Sequence, residues 1–183
     1  MKTEKKGIPI TGEITGWFIP FTDLDANCIE RVLIMKAIAV RENAYAPVTG
    51  VHVGAAIEAE GGNQYIGCNV ENDTLSQTIH AEENAIGGMI AAGDKRPIRV
   101  AIAVARKGVV FDTTTTVAIP ESLTFRDFPP TCPQCLQIIS QHCKDGEGKY
   151  DPTVELISIT PEGGVFIFPI STALTMPLIL DRL

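Results

Sequence analysis

Apolar positions along the chain alternate between helical and strand-like periods, and this pattern predicts the elements of the fold. A spacing of three and four positions is typical of an amphipathic helix, whereas short apolar runs bounded by glycine, proline or asparagine are typical of strands. The first helix is expected to stop before Pro47, because the residue before a proline avoids the α conformation. The pattern predicts helices over residues 25–46, 78–93 and 132–143, and strands over residues 51–60, 64–70, 98–106, 154–160 and 165–168.

The order of these elements indicates the fold class. The run at residues 98–106 is apolar at nearly every position, as expected for a strand that is buried on both faces of a sheet. Strands that alternate with helices around such a strand predict an α/β fold with three layers, α/β/α. Residues 1–23 show little periodicity and contain Pro9 and Pro20, so we expect an irregular N-terminal extension there.

Composition and charge narrow the classes of function. With 183 residues the chain is long enough for one domain with a real core, and its formal net charge is −7. Nucleic-acid binding draws much of its free energy from Lys and Arg placed against phosphates. An acidic chain therefore favours a small-molecule substrate, and we expect no nucleic-acid polymer as a partner.

Two segments and the cysteine content bear on location. Residues 1–21 begin with basic residues but lack the continuous apolar run of a signal peptide. The apolar tail at residues 165–180 is shorter than the roughly 20 residues of a spanning helix, and Pro169 and Pro177 interrupt it. A buried strand followed by a short helix is expected there instead. Five cysteines without regular spacing do not suggest a disulfide framework, so we expect a cytoplasmic protein with reduced thiols and no membrane partner.

Cys132 and Cys135 form a Cys-x-x-Cys pair at the start of a predicted helix. On its own, such a pair fits a redox dithiol, half of a structural zinc site or part of a catalytic zinc site. A thioredoxin-like pair follows the first strand of a βαβ unit, whereas this pair lies late in the chain. A structural site needs two more ligands, and the remaining cysteines form no second pair: Cys28, Cys68 and Cys143.

The triplet His80-Ala81-Glu82 opens the preceding predicted helix and favours the catalytic alternative. A catalytic zinc takes three protein ligands and leaves one position for water. His80, Cys132 and Cys135 can supply the three ligands. Glu82 can face the open position and move protons. Both ligand sets lie at predicted helix N-termini, where backbone N–H groups favour thiolates.

These residues resemble the zinc-dependent cytidine deaminase family, whose signature combines His-x-Glu with Pro-Cys-x-x-Cys. The resemblance runs from about residue 29 to residue 180. It implies a cytidine deaminase-like fold, in which a mixed central sheet lies between two helical layers within a single domain over residues 1–183. It also implies a homodimer or homotetramer with active sites near subunit contacts. Besides the cysteine pair, the matching segments are AYAPVTGVHVGAA (44–56), NVEN (69–72) and HAEENAI (80–86).

The resemblance implies a role for each residue of the signature. His80, Cys132 and Cys135 would bind Zn²⁺. Glu82 would take a proton from the attacking water and deliver it to the ring nitrogen and to the leaving amine. The implied reaction is the hydrolytic deamination of cytidine or deoxycytidine to uridine or deoxyuridine, with release of ammonia.

The resemblance also implies the residues that bind a nucleoside. Asn69 and Glu71 would hydrogen-bond to the ribose. The backbone around Ala81 and Cys132 would hold the pyrimidine carbonyl and amine. Val51 occupies the position where the family tends to place a phenylalanine against the ring, so aromatic stacking would be weaker here.

The chain departs from the family pattern at several further positions. Thr131 replaces a proline, Pro133 replaces a glycine, and Leu136 replaces an arginine next to the cysteine pair. Leu180 aligns where another aromatic residue is expected. Residues 107–131 form a longer link than is usual in the family, and we expect an insertion near the mouth of the active site, either a lid or a plain surface loop.

Three other functions stay open from the sequence. The weaker stacking at Val51 and Leu180 suggests a different aminopyrimidine nucleoside as substrate, such as the antibiotic blasticidin S. A polynucleotide editing enzyme is disfavoured by the acidic charge. A non-catalytic zinc-binding homologue is disfavoured by Glu82, because a structural site needs no proton carrier. His52 is assigned no role and is expected to point outward from its strand.

Overall fold

The structure, a computed structural model, describes residues 8–10, 16–120, 131–144, 147 and 151–174. These residues form the strands β1 Ile8–Ile10, β2 Gly16–Pro20, β3 Val51–Ala59, β4 Gln64–Cys68, β5 Pro97–Arg106, β6 Glu155–Ile159 and β7 Gly164–Pro169. The α-helices in the same residues are α1 Ile29–Arg41, α2 Ala81–Ala91, α3 Pro133–His142 and α4 Ile170–Leu174, and a 3₁₀ turn covers Phe21–Asp23.

The seven strands form one sheet in the order β1-β2-β7-β6-β5-β3-β4. Strands β5 and β6 pair in parallel, and every other pair of neighbours is antiparallel. A parallel pair needs a crossover connection, and here the connection contains α3. The predicted mixed sheet is therefore confirmed, with its parallel pair at the centre.

Helices cover both faces of the sheet, because neighbouring residues of a strand point to opposite sides. In β5, Ala101 and Ala103 belong to the core on the side of α1, where they join Leu33 and Ile34. Ile102 belongs to the core on the side of α2 and α3, which also contains the buried side chains Ala85 and Ile139. The predicted three-layer α/β/α arrangement is confirmed.

The N-terminal segment is more regular than predicted. The expectation of an irregular extension over residues 1–23 is wrong for residues 8–10 and 16–20, which form β1 and β2 and extend the sheet from β7. In β2, Phe18 packs into one core and Ile19 into the other. Both faces of this strand are buried, so its sequence lacks the alternation of apolar and polar residues that would indicate a strand. Residues 1–7 and 11–15 lie outside the described part of the chain.

His52 does not point outward. Its side chain is buried, and its Nδ1 atom lies 3.3 Å from the backbone oxygen of Arg41 at the end of α1. The expectation failed because β3 is covered on both faces. Gly54, two positions further along β3 and on the same face, lets α1 approach closely: a Cβ atom there would lie 2.0 Å from the backbone oxygen of Ala37.

The first part of the 107–131 insertion is anchored to the rest of the fold. Arg41 is buried, donates a hydrogen bond of 2.7 Å to the backbone oxygen of Val109 and lies over the ring of Phe111 at 4.8 Å. Phe111 joins the core on the α1 side, and Val117 packs against the core on the opposite side. The insertion therefore wraps around an end of the sheet. Residues 121–130 lie outside the described part.

The tail follows its prediction as far as the structure describes it. Strand β7 is almost entirely buried, and α4 follows it directly. Residues 175–183, with the Leu180 position, lie outside the described residues. Within the part of the chain that is described, no helix combines the length and apolar character needed to cross a membrane.

Candidate metal centre and active site

Two helix N-termini bring His80, Cys132 and Cys135 together. His80 is the residue immediately before α2, Cys132 is the residue immediately before α3, and Cys135 lies in the first turn of α3. The Nδ1 atom of His80 lies 3.3 Å from each Sγ atom, and all three ligand atoms lie within 4.8 Å of one another. Ligands of a tetrahedral Zn²⁺ lie roughly 3.3–3.8 Å apart. The donor types and their spacing therefore fit zinc.

The electrostatics of the two thiols favour metal binding. A hydrogen bond from Cys135, supported by His80, lowers the pKa of the Cys132 thiol to about 4, although burial opposes this shift. The same hydrogen bond raises the pKa of Cys135, whose proton stabilises the Cys132 thiolate. The pair thus loses one proton easily, and a bound cation would favour loss of the second. The hydrogen bond with Cys132 also raises the pKa of His80.

Glu82 lies in the first turn of α2, next to the three candidate ligands. It is only 5% exposed. Burial raises the pKa of this carboxyl group. A carboxyl group whose pKa lies closer to neutrality can both accept and release a proton under ordinary conditions. The position and the chemistry of Glu82 suit a proton carrier.

Asn69 is buried and bonds to the beginning of β3. Its Oδ1 atom accepts a hydrogen bond of 2.8 Å from the backbone N–H of Val53, and its Nδ2 atom donates one of 2.9 Å to the backbone oxygen of Val51. An amide group has two N–H donors and two acceptor lone pairs. One donor and one lone pair of Asn69 are therefore left for another partner.

Glu71 holds the loop that precedes β3. Its carboxylate accepts hydrogen bonds from the backbone N–H groups of Val48 (2.9 Å) and Thr49 (3.1 Å) and from the Thr49 hydroxyl. Burial opposes ionisation, but these hydrogen bonds outweigh it and lower the pKa of Glu71. The group is a carboxylate at neutral pH and can only accept hydrogen bonds.

A short bridge joins the Asn69–Glu71 segment to His80. Val70 and Ile79 exchange two backbone hydrogen bonds of 2.9 Å, which close the loop between them. Asn69 and Glu71 flank one side of this bridge, and His80 follows the other. Asn69 and Glu71 thus lie at one end of this closed loop, and the predicted metal ligand His80 lies at the other.

The two remaining predicted substrate residues lie within these groups. Val51 is half-buried at the first position of β3, where Asn69 binds its backbone oxygen. Ala81 is fully buried at the first position of α2, between His80 and Glu82. Thr49 was missed by the sequence analysis. In the sequence, Thr49 is recognisable only as a hydroxyl residue just before a strand. Its hydrogen bond to Glu71 joins residues that are far apart in the chain, and no local pattern predicts such a contact.

The departures beside the cysteine pair leave α3 intact. Pro133 occupies the first helical turn, where a proline N–H would have no helical partner in any case. Leu136 is buried and packs in the core on the α2 and α3 side. Thr131 is buried immediately before Cys132. In the described part of the chain, His80, Cys132 and Cys135 form the one group of three or more candidate ligands.

Comparisons with known proteins concern the same region. Residues 29–145, more than half of the chain, match a family model described as the cytidine and deoxycytidylate deaminase zinc-binding region. A cytidine deaminase of Sporosarcina psychrophila is 35% identical over 111 residues, which cover 61% of this chain and 68% of that protein. A cytidine deaminase of Halalkalibacterium halodurans is 31% identical over 113 residues, which cover 62% of this chain and 71% of that protein.

Similarity in structure leads to the same group of proteins. The crystal structure of a cytidine deaminase from Burkholderia pseudomallei superposes with a TM-score of 0.58 at 25% sequence identity, covering 80% of this chain and 96% of that one. The stretch matched by the family model contains all three candidate metal ligands together with Glu82, Asn69 and Glu71.

Proposed function

Because the chain belongs to the cytidine and deoxycytidylate deaminase family, we propose that it hydrolyses cytidine or deoxycytidine to uridine or deoxyuridine, with water consumed and ammonia released. The observation that carries the proposal is the convergence of His80, Cys132 and Cys135 beside the buried Glu82. A redox dithiol would need neither the histidine nor the carboxyl group. A purely structural metal site would not need Glu82.

In the proposed mechanism His80, Cys132 and Cys135 hold the metal. Zinc, when bound, supplies a water of lowered pKa, and thereby a nucleophile at neutral pH. Glu82 would carry both protons of the attacking water in succession, the first to the ring nitrogen and the second to the departing amine. Its raised pKa suits both steps, because the same carboxyl group must accept a proton and then give it up.

The sugar-binding role of Asn69 and Glu71 rests on their remaining hydrogen-bonding capacity. Asn69 keeps one N–H donor, and Glu71, after three bonds to the protein, keeps one acceptor position. A ribose hydroxyl can accept a hydrogen bond from the first and donate one to the second. In the proposed complex the backbone around Ala81 and Cys132 holds the base, and Val51 borders it.

A single set of assays tests the function. The protein is loaded with zinc, its zinc content is measured, and ammonia release is followed with cytidine, deoxycytidine and blasticidin S. We expect turnover of at least one of the first two nucleosides. No turnover of either would overturn the proposal, and turnover of blasticidin S alone would assign the enzyme to a different substrate.

The substitution Glu82→Gln tests the mechanism. It removes the proton carrier but leaves all three metal ligands, so we expect kcat to fall roughly 10²- to 10⁴-fold while zinc content stays at the wild-type level. Glu60→Gln, at a carboxylate with 63% exposure, is the matched control and should retain full activity. Equal activity in the Glu82→Gln and wild-type proteins would refute the assigned role.

The resemblance to the family also leads us to propose a homodimer or a homotetramer. Light scattering coupled to size-exclusion chromatography measures the mass directly, in units of the 19.7 kDa chain. A monomer at micromolar concentration would contradict this part of the proposal and leave the assigned chemistry untouched.

A further inference from the structure

Glu83 bonds to both helices that carry the candidate metal ligands. It lies in the first turn of α2, one residue after Glu82. Its Oε2 atom accepts a hydrogen bond of 3.0 Å from the backbone N–H of His80. Its Oε1 atom accepts one of 3.0 Å from Nε2 of Gln134, which lies between the two cysteines. One carboxylate therefore connects the backbone of the histidine ligand with the Cys-x-x-Cys turn.

We propose that Glu83 and Gln134 are positioning residues that hold the two ligand-bearing helix N-termini at the separation the metal requires. The inference rests on the proposed ligands His80, Cys132 and Cys135. Apolar packing between α2 and α3, through residues such as Ala85 and Ile139, is non-directional and permits small sliding movements. A carboxylate that uses one oxygen for each helix resists sliding, because a shift of either helix breaks a directional bond.

The chemistry of the two side chains suits this task. A negative charge in the first turn of a helix is favoured by the helix dipole, so Glu83 is stable in its place. Gln134 is neutral, so the link adds no second charge next to the two thiols. Neither side chain supplies a metal ligand atom in the triad. Their effect on the metal must therefore act through the placement of His80, Cys132 and Cys135.

The test measures metal affinity and coordination geometry rather than activity. Zinc affinity is determined by competition with a chromogenic chelator for the wild-type protein, Glu83→Ala, Gln134→Ala and the double variant. We expect roughly tenfold weaker zinc binding in each single variant, the low end of the range for groups that orient metal ligands, because Gln134 is exposed and Glu83 is partly exposed. The double variant should be no weaker than Glu83→Ala, since both substitutions break the same link.

An exchanged pair separates positioning from a general effect on folding. In the combination of Glu83→Gln with Gln134→Glu, the amide at position 83 can accept from the His80 N–H and donate to the new carboxylate. Zinc affinity and the visible spectrum of the Co²⁺-loaded protein should return to wild type. Gln134→Glu alone places two carboxylates together and should weaken binding. Gln137→Ala, an exposed glutamine one turn further along α3, is the control that should change nothing.

Three outcomes would contradict two different statements. If the wild-type protein binds zinc, but Gln134→Ala has unchanged affinity and an unchanged Co²⁺ spectrum, the positioning role is wrong. The same conclusion follows if the exchanged pair binds no better than Gln134→Glu alone. If the wild-type protein binds no zinc at all, the proposed metal centre itself is wrong.

Discussion

At the scale of single residues, Asn69 and Glu71 use most of their hydrogen bonds to shape the protein around the proposed sugar site. Asn69 bonds to the backbone of Val51 and Val53, and Glu71 bonds to Val48 and Thr49. The Thr49 hydroxyl also accepts a hydrogen bond of 3.0 Å from the backbone N–H of Val51. The Thr49 hydroxyl thus connects the Glu71 carboxylate to the start of β3. Removing this hydroxyl should make both the carboxylate and the start of the strand less well held.

The substitution Thr49→Val tests this connection. It keeps the shape of the side chain but removes the hydroxyl, so Glu71 loses one donor and the Val51 N–H loses its acceptor. We expect a loss of about 1 kcal/mol in the free energy of unfolding. If Glu71 binds the ribose, KM should rise about fivefold with little change in kcat, as when ground-state and transition-state binding weaken equally. Thr49→Ser keeps the hydroxyl and should behave as wild type; an unchanged KM in Thr49→Val would contradict the sugar-binding role.

The stability difference between the wild-type and Thr49→Val proteins should depend on pH. The folded-state pKa of Glu71 is lowered, and the Thr49 hydrogen bonds contribute to that shift although burial opposes it. The stabilisation that these hydrogen bonds give to the folded protein is therefore present above the ordinary pKa of a glutamate, roughly 4.3. It is lost as the pH falls through the lower pKa that Glu71 has in the folded protein. Urea unfolding measures the free energy of unfolding of both proteins at pH 7 and in acid, with chelator present so that metal binding does not contribute. The difference between the two proteins should be smaller in acid than at pH 7.

The three candidate metal ligands could be predicted because each belongs to a short motif, His-x-Glu or Cys-x-x-Cys, whose chemistry is local, and the structure brings them together. The hydrogen bonds that Glu83 and Gln134 make beside these ligands could not be predicted from the sequence. Glu83 reads in the sequence as an ordinary charged residue at a helix start, and Gln134 as a spacer between cysteines. Their hydrogen bond joins residues far apart in the chain, and only the packing of α2 against α3 brings them together.

At the scale of elements, the position of α2 depends on a glycine in β4. A Cβ atom at Gly67 would lie 2.5 Å from the backbone oxygen of Ala81 and 2.5 Å from the backbone nitrogen of Ala85. These are backbone atoms of the helix turn that follows His80 and carries Glu82, so they cannot rotate away. The contact between this strand and α2 therefore sets the height of the proposed active site above the sheet.

Gly67→Ala should destabilise the protein and disturb the metal site together. Forcing a methyl group against a helix backbone costs roughly 1–3 kcal/mol, and the displaced first turn of α2 should weaken zinc binding. Gly88→Ala is the matched control on α2, because a Cβ atom there meets nothing within 4 Å. It should stabilise by roughly 0.5–1 kcal/mol, as alanine is the better helix former. Thermal unfolding and chelator competition measure both; equal effects of the two substitutions would contradict the explanation.

Element types were predictable where the apolar period was clear, as for α1 and β5, and less so at the N-terminus. Helix α1 begins at Ile29 rather than Asp25, because Cys28 takes the position before the helix and accepts a hydrogen bond from the Arg31 backbone. Strand β2 was missed because its partner, β7, follows nearly 150 residues later in the chain. Pairing over that separation leaves no local signal beyond a short apolar run.

At the scale of the whole molecule, the insertion at residues 107–131 and the loop at Val48 and Thr49, which Glu71 holds, share an anchor. Arg106 donates a hydrogen bond to the backbone oxygen of Thr49, and the N–H of Lys107 donates to that of Gly50. The insertion therefore starts beside the loop that Glu71 holds. Its role, as a lid or as a plain surface loop, stays a prediction.

Zinc should also stabilise the whole fold, since its proposed ligands come from two helices on the same face of the sheet. A metal that binds only the folded protein adds about 2.7 kcal/mol when its free concentration is 100 times its Kd. For a chain of 183 residues, each kcal/mol raises Tm by roughly 2–4 °C, so a rise of about 5–10 °C is expected on zinc loading relative to chelator-treated protein. Differential scanning calorimetry measures the shift.

The control for this prediction is Cys132→Ser, which replaces a thiolate ligand by a hydroxyl of similar shape. Its Tm should be the same with zinc and with chelator, because two ligands bind the metal far more weakly than three. A wild-type protein whose Tm is unaffected by zinc would contradict a site shared by α2 and α3. A shift that persists in Cys132→Ser would instead indicate that zinc stabilises the fold from another place on the molecule.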